Sequence, residues 1–222
     1  MCSSDLVLFS KLECKYGSRS WIYRFGRGSH GTGRAAQLIE DGATLQLGIG
    51  AIPDAVCHQL KHKRHLGIHS EMLGDGVVEL YEAGVVENSR KGIDKGKFVF
   101  NFVMGSKRLY DSCHRNEDYL LKPVDYVNDP AIIAENPSVV SINAALAVDF
   151  YGQVAADTIG YKQFSAVGGQ VDFIRGAAMC HDGKGKAVIA MPSAAKKKDG
   201  TPTQMEERRV GKECRSRWSP YH

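Results

Sequence analysis

Short apolar runs alternate with amphipathic stretches through the middle of the chain, and glycine or proline separates most of them. The apolar runs hold four to seven residues and are rich in β-branched and aromatic side chains, as buried strands are. One amphipathic stretch has apolar residues at Ile52, Val56 and Leu60, which is the spacing of one helix face. The pattern predicts strands at 44–47, 66–69, 98–104, 138–142 and 187–190, and helices at 52–63, 76–83 and 107–115.

Strands that alternate with helices are typical of an α/β domain with an open, largely parallel sheet flanked by helices. Ligands of such sheets bind at the carboxyl ends of the strands. The residues after each predicted strand are therefore the first candidates for chemistry. They include a glycine-rich turn at 48–50 and Glu71, which follows the strand at 66–69; a second glycine-rich loop lies at 165–170.

Composition narrows the class of protein. The 222 residues are 43% hydrophobic and 24% charged, which suffices for one core, and no apolar stretch approaches the ~20 residues that span a bilayer. The net charge of +4 comes from the ends, because residues 35–205 carry −2, so it does not indicate a nucleic-acid surface. The six cysteines form no CxxC pair and indicate free thiols in a reducing, cytoplasmic setting.

At both ends of the chain, the apolar residues follow neither the spacing of a strand nor that of a helix face. Residues 1–34 are dense in Arg, Ser and Gly, and residues 205–222 resemble translated sequencing adapter. Such segments are set aside before the fold is considered. We expect 1–34 to be non-native or disordered, 35–204 to carry the domain, and 205–222 to be an artefactual tail; genuine flexible tails are the alternative.

The two glycine-rich segments can each bring bare backbone close to a ligand. The turn 48–50 precedes a helix whose first N–H groups would stabilise an anion or a developing oxyanion, although a plain tight turn has the same sequence. A dinucleotide fingerprint would need a third glycine where Pro53 stands. The turn 183–186 precedes a strand instead of following one, so it is not a phosphate loop.

Glu71 has several possible roles. A carboxylate in this place can be a nucleophile, a general base or a metal ligand, whereas an acid at a helix N-terminus only complements the helix dipole. His58 and His62 lie four residues apart near two further histidines, but no HExxH glutamate accompanies them. Lysines interleave with these histidines, so a solvated helix face is favoured over a metal site.

Four segments in order resemble one known family: GIGAIPDAV at 48–56, LGIHSEMLGDGVVEL at 66–80, PVDYVNDP at 123–130 and VGGQVDFIRGAA at 167–178. Together they look like the C-terminal domain of the acetyl-CoA hydrolase/transferase family, and in particular like 4-hydroxybutyrate and butyrate:acetate CoA-transferases. The resemblance covers about 35–203. It implies an α/β fold of the CoA-transferase type (NagB/RpiA/CoA-transferase), with a homodimer for the full-length enzyme.

The resemblance also implies a mechanism. Glu71, in the motif His69-Ser70-Glu71-Met72, would be the nucleophile that attacks an acyl-CoA and then carries CoA as a glutamyl thioester. Coenzyme A enters as a substrate, and the reaction requires no metal or redox cofactor. The family's CoA-binding and oxyanion positions correspond to Gly48, Ile49, Gly50, Ala51, Ile52, Asn143, Ala166, Gly168 and Gly169.

The chain departs from the family pattern in two ways. Relatives have glycine where this chain has Ala166, and alanine would strain the loop if that position requires a positive φ. The family's N-terminal CoA-transferase domain is expected to be missing, so the fragment alone is expected to be inactive. The expected partners are an acyl-CoA and a small carboxylate, without nucleic acid or membrane; an acyl-CoA hydrolase and a catalytically silent CoA-binding fragment are the alternatives.

Overall fold

A six-stranded sheet lies at the centre of the computed structural model, which describes residues 9–13, 19–25, 35–48, 51–148, 153–159, 161–192, 194–196 and 202–204. Numbered along the chain and given in spatial order, its strands are β1 (Phe9–Glu13), β2 (Arg19–Phe25), β14 (Lys186–Pro192), β9 (Val140–Ala144), β3 (Thr44–Leu47) and β4 (Gly67–Ile68). Neighbouring strands are parallel except for β1 and β2. The predicted α/β class with a largely parallel sheet is confirmed.

Helices and short strand pairs surround this sheet. The helices are α1 (35–37), α2 (Ala51–Gln59), α3 (Asp75–Glu82), α4 (Lys107–Cys113), α5 (Val124–Val127), α6 (Pro130–Ala134) and α7 (Gln170–Ala178). The short strands pair as β5 (Met72–Leu73) with β7 (Phe102–Val103), β6 (Phe98–Phe100) with β8 (Tyr119–Leu121), β10 (Ala147–Val148) with β11 (Val154–Ala155), β12 (Thr158–Ile159) with β13 (Lys162–Gln163), and β15 (Ala194–Lys196) with β16 (Pro202–Gln204).

The core is divided between the two faces of the strands. Phe98 and Phe100 of β6 pack in a large cluster with residues of α2 and α3, whereas Val99 between them packs with Phe173 and the α5–α6 region. Because successive side chains of a strand point to opposite faces, β6 belongs to both clusters. Helices therefore pack on both faces of β6, as is usual for a strand in a parallel pair.

The predicted strand at 98–104 is divided at Asn101 into two short strands, β6 and β7. β6 pairs with β8, while β7 pairs with β5. Between β6 and β7, the Asn101 N–H donates to the Glu71 carbonyl oxygen at 2.9 Å, and the Phe102 N–H donates to the same oxygen at 3.2 Å. The apolar run changes partner at Asn101, where its backbone binds that of Glu71.

Part of the segment 1–34 pairs into the sheet even though its side chains have no regular pattern. The backbone of β2 runs parallel to β14 from Ser20 to Phe25. Its sequence RSWIYRF is rich in aromatic and β-branched residues, which suit a strand. The division of the chain at residues 35 and 205 stays a prediction, and residues 205–222 lie outside the described part.

Candidate functional site

The carboxyl ends of β3, β4 and β9 meet at one edge of the sheet, because these strands are parallel. Gly48 follows β3, and its N–H donates to the Ile142 carbonyl oxygen of β9 at 3.2 Å. Ile49 and Gly50 of the same turn lie outside the described residues. Ala51 begins helix α2, with Ile52 half-buried beside it. The structure thus places the described part of this predicted site at the sheet edge.

The segment that carries Glu71 is fixed from both sides. Ser70, which precedes Glu71, is 1% exposed. Its hydroxyl donates to the Leu47 carbonyl oxygen at 3.1 Å. On the other side, the Ser70 N–H donates to the Val99 carbonyl oxygen at 3.0 Å. Ser70 therefore ties the end of β3 to β6, and Glu71 follows it in a bend that remains half-buried.

The Glu71 carboxylate contacts the second glycine-rich loop. The Gly169 N–H donates to Glu71 Oε2 at 2.6 Å across 98 residues of sequence. Gly169 is the N-cap of α7, so this N–H belongs to the positive end of a helix, where a negative charge is stabilised. A Cβ on Gly169 would stand only 2.5 Å from Oε2, and glycine is therefore the residue that permits the contact.

The strain that alanine would cause at 166 if that position required a positive φ is absent from the structure. Gly168 has φ +59°, and a Cβ on it would lie 3.7 Å from Glu71 Oε2. Ala166 is exposed and is not among the residues with positive φ. Alanine therefore causes no backbone strain at 166, and the positive φ in this loop belongs to Gly168.

Asn143 lies at the end of β9 in a buried polar network. Its Oδ1 accepts from Gln46 Nε2 at 3.1 Å, and its Nδ2 donates to Gln46 Oε1 at 3.0 Å and to Ser141 Oγ at 2.8 Å. Ser141 Oγ in turn donates to Gln46 Oε1 at 2.7 Å. Asn143 was predicted to contact CoA, but its hydrogen bonds to Gln46 and Ser141 were not predicted from the sequence. The available signal was a polar residue at 46 within an apolar strand.

His69 is buried, and both nitrogens of its ring have partners within the protein. It is 1% exposed, and its Nε2 lies 2.9 Å from the Val127 carbonyl oxygen while Nδ1 lies 3.4 Å from Asn136 Nδ2. These partners require Nε2 to carry the proton and Nδ1 to accept. Burial lowers the pKa of His69 to about 4, and the nearby Lys91 charge acts in the same direction, so the imidazole is neutral at pH 7.

The burial of His69 makes the folding stability of the protein depend on pH. Since the pKa of His69 is lower in the folded state than its usual 6.5, the unfolded chain binds the proton first as pH falls. Stability should therefore be complete above pH 6.5 and decrease by about 3 kcal/mol between pH 6.5 and 4. We expect His69→Gln, which keeps a donor for Val127, to flatten that part of the Tm–pH curve. Thermal unfolding between pH 4 and 7.5 measures it.

The exposed His62 provides the matched control, because His62→Gln should leave the slope of the same curve unchanged. A slope that survives in His69→Gln would show that other groups cause the acid sensitivity.

The other histidines make ordinary surface contacts. His58 Nδ1 lies 3.2 Å from Glu79 Oε2, and His65 Nδ1 lies 3.0 Å from Glu87 Oε2. Across the described ranges, no three His, Cys, Asp or Glu side chains converge as a metal site would require. None of the helices in the described part is long and apolar enough to cross a membrane.

The chain is similar in sequence to several curated CoA-transferases. The chain is 57% identical over 162 residues to the 4-hydroxybutyrate coenzyme A transferase of Clostridium kluyveri, covering 73% of this chain and 37% of that protein. It is 41% identical over 148 residues to the butyryl-CoA:acetate CoA-transferase of Anaerostipes caccae, covering 66% of this chain and 33% of the relative. The chain thus spans about a third of the length of these curated relatives.

Solved structures agree with the fold. The crystal structure of RipA from Yersinia pestis superimposes with a TM-score of 0.71 at 44% identity, over 78% of this chain and 38% of that one. The 4-hydroxybutyrate CoA-transferase of Porphyromonas gingivalis has a TM-score of 0.65 at 39% identity, over 78% and 41% of the two chains. Residues 105–207 match the acetyl-CoA hydrolase/transferase C-terminal domain. The chain therefore belongs to the acetyl-CoA hydrolase/transferase family.

Proposed function

We propose that this domain transfers CoA between an acyl-CoA and a short-chain carboxylate such as acetate, butyrate or 4-hydroxybutyrate, with Glu71 as the nucleophile. The observation that carries the proposal is the Glu71 carboxylate, which receives the Gly169 N–H at 2.6 Å at the carboxyl edge of a parallel sheet. One carboxylate oxygen is thereby held, while its partner oxygen remains to attack. The half-buried position of Glu71 leaves a route for a substrate.

The proposed steps conserve charge and electrons. The Glu71 carboxylate attacks the thioester carbonyl carbon, the C–S bond breaks, and CoA thiolate leaves a mixed anhydride behind. The thiolate then attacks the Glu71 acyl carbon and releases the first carboxylate, which yields a glutamyl-CoA thioester. An acceptor carboxylate reverses both steps and regenerates the Glu71 carboxylate. No proton or electron has to be supplied.

Backbone donors at the sheet edge support this chemistry. In the thioester intermediate Oε2 is the carbonyl oxygen of Glu71, and attack on the acyl carbon places negative charge on it. The Gly169 N–H already points at that atom, so it stabilises the developing charge without reorganisation. Gly48 and the start of α2 are proposed to bind the CoA side, together with Ile49, Gly50 and Asn143.

The names of the relatives support the reaction class. They describe CoA-transferases for 4-hydroxybutyrate and for butyryl-CoA with acetate. Because the chain spans only about a third of their length, we propose that the acceptor side of the site comes from the remaining two thirds. An acyl-CoA hydrolase would share Glu71 and would differ in letting water reach the intermediate.

A chimera tests the proposal. In it, the matching stretch of the C. kluyveri enzyme is replaced by that of this chain. We expect the chimera to exchange CoA between butyryl-CoA and acetate, whereas the 222-residue chain alone shows no exchange and at most a slow, Glu71-dependent release of thiol. An enclosed site is needed for full stabilisation of the oxyanion. Thiol release by the chimera at the same rate with and without acetate would favour the hydrolase instead.

A further inference from the structure

Two buried amides form a closed pair at the end of the central strands. Gln46 and Asn143 are 4% and 7% exposed, and each amide donates to the oxygen of the other, at 3.1 Å and 3.0 Å. An amide oxygen can accept two hydrogen bonds, and an amide nitrogen can donate two. After these mutual bonds, one donor and one acceptor therefore remain on each of the two edges of the pair.

A hydroxyl group fills one edge of the pair. Ser141 Oγ accepts from Asn143 Nδ2 at 2.8 Å and donates to Gln46 Oε1 at 2.7 Å, so a single hydroxyl satisfies a donor and an acceptor at once. The opposite edge consists of the second N–H of Gln46 Nε2 and the second lone pair of Asn143 Oδ1. Within the described ranges, neither of these atoms has a further partner. Turning both amides over would exchange donor and acceptor and would still leave one of each.

The open edge faces the carboxyl ends of the strands. Ser141 precedes Asn143 by two residues in β9 and lies opposite Gln46 in the register of β3 with β9, so the filled edge points towards the amino ends. Beyond the pair, the chain offers little side chain. The nearest described atom to a Cβ built on Gly48 is the Ile142 carbonyl oxygen, 3.8 Å away. Gly48 therefore leaves space for a ligand group beside the open edge.

The amide pair lies on the face of the sheet that α7 covers. Val139 precedes Asn143 by four residues, so its side chain points to the same face, and it packs with Phe173 of α7. Helix α7 leads directly into β14, so its first residue lies towards the carboxyl end of that strand. The N-cap of α7, Gly169, holds the carboxylate of Glu71. The open edge and the candidate nucleophile thus share one face and one end of the sheet.

We infer that the open edge of the Gln46–Asn143 pair binds a hydroxyl group of the substrate, as Ser141 occupies the other edge. A hydroxyl group donates to Asn143 Oδ1 while it accepts from Gln46 Nε2, whereas a methyl group would leave both buried atoms unpaired, at a cost in binding. The inference rests on the proposed function, because it concerns an acyl-CoA bound at Glu71.

An acyl-CoA substrate has two sources of such a hydroxyl group. One is an acyl chain that ends in a hydroxyl, such as the 4-hydroxybutyryl group, and the other is the hydroxyl of the pantoyl unit of CoA. The amides of CoA do not fit the edge, because the N–H and C=O of a trans amide point in opposite directions. The shared chemistry is therefore an alcohol, and the experiments separate its two sources.

Kinetics of the chimera test the acyl chain as the source. Gln46→Met removes both amide groups at similar size, and kcat/KM is measured with 4-hydroxybutyryl-CoA and with butyryl-CoA, both with acetate as acceptor. We expect the ratio of the two values to change about tenfold in favour of butyryl-CoA. A smaller folded fraction cancels in this ratio. Ser141→Ala disturbs the same network at its filled edge, and we expect it to lower Tm but to keep the ratio within a factor of about two.

Calorimetry of the chimera tests CoA as the source. Its ligands are CoA and an analogue in which hydrogen replaces the pantoyl hydroxyl. If this hydroxyl occupies the edge, CoA binds about tenfold more tightly than the analogue, and Gln46→Met abolishes the difference while Ser141→Ala keeps it. The inference is overturned if Gln46→Met changes neither the kinetic ratio nor this affinity ratio, or if Ser141→Ala changes them equally.

A crystal structure of the chimera does not depend on how variants at Gln46 fold. The protein carries Glu71→Gln to prevent turnover and is soaked with 4-hydroxybutyryl-CoA. We expect one substrate hydroxyl within about 3.2 Å of both Gln46 Nε2 and Asn143 Oδ1, and its position in the ligand identifies the source. A water molecule or an apolar group at the open edge would overturn the inference.

The two proposals fail differently. If Glu71 is not the nucleophile, Glu71→Gln retains exchange, whereas the substrate hydroxyl still lies on the open edge and Gln46→Met still changes a ratio. If the edge binds no substrate hydroxyl, Gln46→Met leaves both ratios unchanged, and Glu71→Gln still abolishes exchange.

Discussion

Glu71→Gln should reduce CoA exchange by the chimera about 10⁴-fold or more, because it removes the group on which both covalent intermediates form. The amide is isosteric with the carboxylate and can still accept from the Gly169 N–H, so the fold and CoA affinity should be retained. Exchange between labelled acetate and butyryl-CoA measures turnover, and calorimetry measures CoA binding. Sodium borohydride added after butyryl-CoA should also inactivate the unsubstituted protein by reducing the glutamyl thioester.

The matched control for this substitution is Glu82→Gln. Glu82 is an exposed acid paired with Arg108 on the surface, and its substitution should leave exchange unaffected. Appreciable turnover by Glu71→Ala would contradict the assignment. If Glu71 were merely an acid at the start of α3, its loss would cost only about 0.3–1 kcal/mol of stability and no activity.

Gly169→Ala should lower exchange by about 10²–10³-fold, as the loss of one oxyanion donor does. The backbone at Gly169 has φ −83°, which alanine adopts readily, so the effect is steric and local. Its methyl group would meet Glu71 Oε2 at 2.5 Å and Asn128 Nδ2 at 2.7 Å and would displace the carboxylate from the N–H. The measurements are kcat for exchange and Tm.

Gly74→Ala is the comparison for this effect. Gly74 has φ −115°, and the nearest atom to an added Cβ, Asp54 Oδ1, is 3.9 Å away. We expect kcat to be nearly unchanged in this variant and Tm to be similar in both. If Gly169→Ala kept full kcat, the contact between Gly169 and Glu71 would have no part in the reaction.

Local sequence signals predicted β3, β4, β9 and β14, because each is a short β-prone apolar run beside a glycine or a polar turn. The run at 44–47 was predicted with its exact bounds. Helix α7 was missed as a helix because Gly168 and Gly169 at its start favour a loop, although Phe173 and Ala177 have helical spacing and are buried. The break of 98–104 falls at Asn101, whose N–H donates to the Glu71 carbonyl oxygen, and this partner is too distant in sequence to be predicted from the run.

The candidate site, too, was predicted from the sequence only in part. Glu71 and the loop around Gly169 were singled out from the sequence, but their contact spans 98 residues and has no periodic signature. Only the family resemblance placed them in one site. The bonds of Asn143 to Gln46 and Ser141 were not predicted, because a polar residue within a strand is usually solvated. The assignments of Glu71, Gly169 and Asn143 as site residues stay proposals.

The contrast between Gly169 and the residues before it has a consequence for access to the site. All residues from 161 to 168 are exposed, whereas Gly169 and the segment around Ser70 are buried. Residues with few buried contacts are displaced at the lowest free energy. A substrate large enough to require an opening would therefore be admitted by movement of 161–168, while the carboxylate and the N–H that holds it keep their places. Substitutions at 162–165, which include none of the predicted CoA-binding positions, would change how fast substrates enter and leave, and the bond-making steps would proceed as before.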